Sequence, residues 1–135
     1  MALTGLWIGV KTDAPLTEDP IILRTKVWLD AYFRGEMPPM DVPICLGGTA
    51  FQKVVWDQLL KIPYGKTCTY GELAAALAKR FGKEKKSAQA VGQAVGRNPV
   101  SILVPCHRVV GTGGKLTGYA WGIDRKQWLL NHEKN

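Results

Sequence analysis

Apolar residues along this chain fall into short runs separated by glycine, proline and charged turns, and their spacing alternates between strand-like and helical. Leu3 to Val10 holds Leu6, Trp7, Ile8 and Val10, a run punctuated by Gly5 and Gly9 that reads as a strand, with residues 13–20 as a loop. From Pro20 the spacing turns helical. Val27, Trp28, Ala31 and Tyr32 stand at i, i+1, i+4 and i+5, the pattern of one helix face, Pro20 suits a first turn because it has no amide hydrogen to leave unpaired, and Gly35 marks the stop. Met37-Pro38-Pro39 and Pro43 then form an extended connection, the best boundary in the chain.

Two capping boxes follow. Thr49-Ala50-Phe51-Gln52 opens a helix whose Phe51, Val54, Val55, Leu59 and Ile62 share a face up to Pro63, and Pro63-Tyr64-Gly65-Lys66 is a turn. Thr69-Tyr70-Gly71-Glu72 opens the next, with Leu73, Leu77 and Phe81 inward and Gly82 at its end. Lys83-Glu84-Lys85-Lys86 reads as a solvated charged loop. Ser87 caps a third helix to about Gly96, built from Ala88, Ala90, Gly92 and Ala94 with Val91 and Val95 as its apolar anchors. Helix, charged turn and short helix is the order of a helix-turn-helix, and small side chains let a backbone approach a partner closely. The same residues equally suit tight packing against a neighbouring helix.

Asn98-Pro99 breaks this helix, because the residue before proline is pushed out of the helical region. Val100 to Val104 is a short apolar run, Gly111-Thr112-Gly113-Gly114 a glycine turn, and Leu116 to Tyr119 extended. Gly122 and Asp124 open a final helix with Trp128, Leu129 and His132 on its inner face.

Composition narrows the class. With 135 residues, 46% hydrophobic and 21% charged, the chain is expected to fold as one domain or a small domain with an appendage. Lys and Arg number 18 against 11 Asp and Glu, a net charge of +7, which favours polyanionic partners. Three cysteines, Cys45, Cys68 and Cys106, without framework spacing fit reduced thiols in a cytoplasm, and with only His107 and His132 no zinc spacing is present, so no metal is expected. No apolar run approaches the ~20 residues that span a bilayer, and no secretory leader is evident, so a soluble, cytoplasmic protein is expected.

The chemistry concentrates in Val104-Pro105-Cys106-His107-Arg108-Val109. A thiol is a strong nucleophile only as thiolate; an adjacent imidazole generates one near neutral pH, and Arg108 adds charge that favours it. Neighbours on an extended segment point oppositely, so His107 reaches Cys106 only through a bend or a bridging water. A base of this kind needs an orienting acceptor on its second nitrogen. Glu133, one turn beyond Leu129, is the candidate, although spacing alone favours an exposed terminal carboxylate over it.

The motifs Ile62-Pro63-Tyr64-Gly65-Lys66-Thr67, Tyr70-Gly71-Glu72, Ala90-Val91-Gly92, Asn98-Pro99 and Pro105-Cys106-His107-Arg108-Val109 occur in the order found in methylated-DNA-protein-cysteine methyltransferases. The chain resembles this family from about Gly48 to Glu133. The resemblance implies an α/β (α+β) fold: residues 1–45 as a reduced N-terminal strand-helix domain with linker, and residues 46–135 as a mainly helical, winged helix-turn-helix-like DNA-binding alkyltransferase domain. It implies irreversible, single-turnover transfer of an alkyl group from 6-O-methylguanine, and less readily 4-O-methylthymine, to Cys106, without a cofactor, by a monomer acting on double-stranded DNA after base flipping.

By the same resemblance His107 is the base acting through a water, Glu133 orients it, Asn98 is a hinge, and Tyr70 helps rotate the nucleotide and donates to the guanine. Val109, Tyr119, Ala120 and Trp121 join Cys106 in the base pocket, while Tyr70, Gln89, Ala90, Gly92, Arg97 and Arg108 contact DNA, with the slender helix in the minor groove. Two positions depart from the family pattern. Gln89 stands where many members carry an arginine, shifting affinity toward Arg97, Arg80 and the lysine loop; Trp121 occupies a loop where glycine is common and either narrows the pocket or offers a stacking surface. A lesion sensor of this family would lack Cys106, a helix-turn-helix regulator would leave Cys106, His107 and Glu133 unexplained, and a cysteine hydrolase would have to turn over an ester or peptide.

Overall fold

The computed structural model describes residues 2–6, 8, 19–81 and 88–134. Helix α1 (Pro20–Phe33) begins where the Asp19 carboxylate accepts from the Ile21 amide at 2.8 Å and is followed by Gly35 at φ +89°. Its buried stripe is Thr25, Trp28 and Tyr32, not the expected Val27, which is 67% exposed. Thr25 can sit on the inner face because its hydroxyl donates to the Ile21 carbonyl at 2.7 Å.

The expected N-terminal strand does not form over the described residues. Leu3 and Leu6 make single parallel bridges, to Ile44 and Val100 respectively, while Trp7, Gly9 and Val10 lie outside the described residues. This segment ties the linker to the approach to Cys106: the Leu3 amide donates to the Pro43 carbonyl and the Leu6 amide to that of Pro99.

Helix α2 (Ala50–Leu59) carries the full Thr49/Gln52 capping box. It buries Val55, Trp56 and Leu59, with Phe51 and Val54 only half-buried, so the inner face is rotated toward Trp56, whose indole donates to the Ala94 carbonyl at 2.8 Å. After the expected turn at Pro63–Lys66, strand β1 (Cys68–Thr69) pairs in parallel with β2 (Val109–Val110), Cys68 opposite Val109. Helix α3 (Tyr70–Phe81) follows directly, with Thr69 Oγ1 accepting from the Glu72 amide at 3.0 Å and Leu73 and Leu77 buried. The Phe81 side chain, Gly82, the lysine loop and Ser87 fall outside the described residues.

Helix α4 (Ala88–Gly96) packs against α2 and α3 through Val91, Ala94 and Val95. Helix α5 (Ile123–Lys134) differs from expectation in the face it buries. Lys126, Leu129, Leu130 and Glu133 point inward, whereas Trp128 is 53% exposed and His132 half-buried, the two rings stacked 5.0 Å apart at the surface. Hydropathy favours Trp128, but the inner face is held by polar contacts that Lys126 and Glu133 make and Trp128 cannot.

The described residues thus form a mixed α/β fold of five α-helices and a two-stranded sheet. One core runs through it, joining Trp28, Tyr32 and Val42 to Trp56, Leu59, Leu77, Val91, Val104 and Leu129. Among the described residues no helix is long and apolar enough to cross a membrane.

Candidate active site

Cys106 begins a single 3-10 turn, Cys106–Arg108, set by Pro105 and closed by the Arg108 amide donating to the Pro105 carbonyl at 3.0 Å. The turn supplies the bend that an extended segment would lack. Cys106 lines a cavity of about 170 Å³, while His107 is fully buried beside it in sequence.

Glu133 is the hub of the buried network, and it is 5% exposed rather than a free terminal carboxylate. Its Oε2 lies 2.5 Å from His107 Nε2 and accepts from the Tyr32 hydroxyl at 2.6 Å and an Arg108 terminal nitrogen at 3.2 Å. Its Oε1 accepts from Arg108 Nε at 2.8 Å and the Gly65 amide at 3.2 Å. Burial works to raise the carboxyl pKa, but the hydrogen bonds from His107 and Arg108 outweigh it and hold the group well below the usual carboxylate range. Glu133 is therefore an anion that only accepts.

This fixes the histidine tautomer. Burial holds His107 below its ordinary pKa, so the ring is neutral with a single N–H, and that hydrogen must sit on Nε2 facing the carboxylate. Nδ1 keeps its lone pair, and among the described residues it has no protein partner. It is a base with nothing in the protein to quench it.

Burial pushes the Cys106 thiol up, opposed by the Asn98 amide, the Lys126 ammonium and nearby backbone N–H groups. The resting thiol is thus protonated and needs a base to release its proton. Lys126 was not singled out from the sequence. It is fully buried, donates to the carbonyls of Thr117 and Gly118 at 3.0 and 3.3 Å, and lies 5.8 Å from the Tyr70 ring centroid. A lysine three positions before Leu129 and seven before Glu133, on a helix face, was the available signal.

Arg108, expected beside the thiolate and on DNA, is instead 9% exposed, with its guanidinium committed to Glu133 and to the Ile62 carbonyl at 2.7 Å. Its place in the 3-10 turn directs it inward, and Lys126 supplies the cation near sulfur. Val109 also departs from expectation: pairing in β2 buries it completely in the core, and it does not line the cavity.

The cavity does gather Tyr70, Gly92, Asn98, Tyr119, Ala120 and Trp121 around Cys106. Asn98 bridges the segment to the helix pair, its amide nitrogen donating to the Val104 carbonyl at 2.9 Å and its oxygen accepting from the Val100 amide at 3.0 Å. Tyr70 makes a long 3.3 Å bond to the Thr117 carbonyl, weak enough to be redirected. The half-buried Trp121 indole donates to Ser101 Oγ at 2.6 Å, bringing a further wall residue into the site. Gln89 and Arg97 are exposed near opposite ends of α4, Ala90 lies on the same helix outside the cavity lining, and Arg80 pairs at the surface with Asp57 at 3.3 Å. Among the described residues no three His, Cys, Asp or Glu side chains converge on a metal position.

Residues 50–135, more than half of the chain, match the family described as 6-O-methylguanine DNA methyltransferase, DNA binding domain. The chain is 55% identical over 105 residues to a methylated-DNA–protein-cysteine methyltransferase of Methanosarcina acetivorans, covering 78% of this chain and 64% of that relative. It is 50% identical over 119 residues to the protein of that name from Mycolicibacterium paratuberculosis, covering 87% and 69%. The fold is similar to the crystal structure of Mycobacterium tuberculosis OGT in complex with DNA, with a TM-score of 0.73 and 52% identity over 82% of this chain and 65% of that one. The chain thus spans less than two-thirds of several relatives that it matches. By sequence and by fold, it belongs to the 6-O-methylguanine DNA methyltransferase family.

Proposed function

We propose that this protein repairs double-stranded DNA by moving the alkyl group of 6-O-methylguanine, and less readily of 4-O-methylthymine, onto its own Cys106 in one irreversible turnover. The observation that carries this reading is the Glu133–His107 pair, which leaves Nδ1 of a neutral imidazole as an unquenched base adjacent in sequence to a buried thiol on a cavity wall.

His107 Nδ1 takes the thiol proton through a water, as the imidazolium is stabilised by Glu133. The thiolate attacks the alkyl carbon; the S–C bond forms as the C–O bond breaks, and that electron pair passes to the guanine. Tyr70 donates to the leaving base, and the proton released by the thiol returns to it, so the guanine departs neutral. The base itself is the alkyl donor, so no cofactor enters.

A stacked base cannot present its 6-oxygen to a buried sulfur, so the nucleotide must be rotated out of the duplex. The α3–α4 pair suits the docking, with the slender α4 in the minor groove, Gly92 and Ala90 allowing close approach, Gln89 filling the vacated stack and Arg97 meeting phosphate. Residues 46–135 then carry the chemistry and residues 1–45 brace it, in a monomer working in the cytoplasm.

Intact-protein mass after incubation with a duplex carrying one 6-O-methylguanine tests this directly. One methyl increment per chain, mapped to Cys106 and absent in Cys106→Ser, is expected; an unmodified protein that still binds the lesion overturns it in favour of a damage sensor.

A further inference from the structure

We propose that Tyr32, on the N-terminal helix, is a positioning residue for this reaction: its hydroxyl donates to Glu133 Oε2, the oxygen that holds His107, and so sets the orientation and basicity of the group that deprotonates Cys106. The role in alkyl transfer rests on the repair reading above, whereas the effect on Cys106 does not.

Packing alone does not account for the hydroxyl. The Tyr32 ring is fully buried, stacked on Trp28 at 5.6 Å and edge-on to Tyr64 at 6.0 Å, and a phenylalanine would fill the same space. The backbone at this position is held as well, since the Tyr32 carbonyl accepts from His132 Nε2 at 2.6 Å. What the oxygen adds is one 2.6 Å bond to a residue 101 positions away, next to the cysteine's own base. A buried hydroxyl left without that bond would be costly, which keeps it aimed at the carboxylate.

The carboxylate's surroundings give the sign of the effect. Glu133 faces Arg108 and His107 from the 3-10 turn, Tyr64 and the Gly65 amide from the turn after Ile62, and Tyr32 from α1. His107 in turn faces Glu133, Arg108 and, from α5, Lys126. Of the donors on Oε2, Tyr32 and the resting His107 are both neutral, and Tyr32 is the one that burial keeps protonated at any working pH. Removing it leaves more of the negative charge to His107, which raises imidazole basicity, and frees the carboxylate to turn toward Arg108, which aims Nδ1 less well.

Tyr32→Phe is therefore expected to bind a 6-O-methylguanine duplex with unchanged Kd and to transfer the methyl group about tenfold more slowly at saturating DNA. In the free protein, the pH midpoint for alkylation of Cys106 by iodoacetamide should move downward. Asp19→Ala, which removes the cap of the same helix without touching Tyr32 or Glu133, should lower the melting temperature while leaving rate and midpoint in place. A wild-type rate and midpoint in Tyr32→Phe, or the same two changes in Asp19→Ala, would overturn the proposal. Failure of the wild-type protein to accept a methyl group would instead overturn the repair reading, and the iodoacetamide midpoint would still decide the role of Tyr32.

Discussion

The Trp121 indole and the Ser101 hydroxyl meet at 2.6 Å in the wall of the Cys106 cavity, joining the loop before α5 to the segment leading into the 3-10 turn. An indole tied in this way is a fixed wall. Trp121→Gly should therefore admit larger groups: transfer from 6-O-benzylguanine in DNA should rise at least tenfold, while transfer of methyl changes less than about threefold, since one bulky wall residue discriminates by roughly 1–3 kcal/mol. Single-turnover rates on the two substrates check this, and equal changes on both would mean that Trp121 shapes the loop and not the size limit.

Lys126 should act on the thiol through its charge. Lys126→Met keeps length but removes the ammonium and its bonds to the Thr117 and Gly118 carbonyls, which should lower stability by about 1–3 kcal/mol. Because Lys126 favours the thiolate, the pH midpoint for Cys106 alkylation should rise, the opposite of the shift expected for Tyr32→Phe. Iodoacetamide kinetics across pH 6 to pH 10, a range of about four units around the ordinary thiol value, separate the two.

Acid should unfold the protein in two overlapping stages, coupled because His107 and Glu133 share a hydrogen bond. Burial keeps folded His107 neutral below its ordinary value of 6.5, so as pH falls through about 6.5 the unfolded chain binds the proton first and stability begins to drop. Glu133 lies below its ordinary 4.5 when folded; its contribution is complete above that value and is lost as pH falls further toward the folded one. Urea denaturation at a series of pH values should show monotonic loss, and Glu133→Gln should flatten the lower stage. That variant should also cost about 3–5 kcal/mol at pH 7, because it leaves the Arg108 guanidinium buried without its anion.

Gly92 separates docking from folding. A Cβ there would meet only Tyr70 ring carbons at 3.8 Å, an ordinary contact, so Gly92→Ala should stabilise α4 by about 0.5–1 kcal/mol. If the helix lies against the DNA backbone, the same methyl should weaken duplex binding several-fold. A melting curve with a fluorescence-anisotropy titration measures both, and unchanged affinity would place α4 further from the groove.

Local chemistry written in adjacent residues was legible without a structure. The Thr49 capping box, the Thr69 cap, the break at Asn98-Pro99 and the Pro105-Cys106-His107 corner all depend on interactions within a few residues, so the sequence by itself determined them, as it determined which thiol carries the chemistry. The inner face of α5 was different: hydropathy points to Trp128 and His132, says nothing of Lys126 and by spacing alone leaves Glu133 exposed, and only the carbonyls of Thr117 and Gly118, the guanidinium of Arg108 and the Tyr32 hydroxyl make the two charged residues internal. The same holds for Ile102, a β-branched residue at φ +72° in the corner before Cys106, a conformation that its own type disfavours and that its buried surroundings impose. What tertiary structure alone decided was thus which buried polar groups meet, because a bond such as Tyr32 to Glu133 spans 101 residues and leaves no periodic trace in either helix.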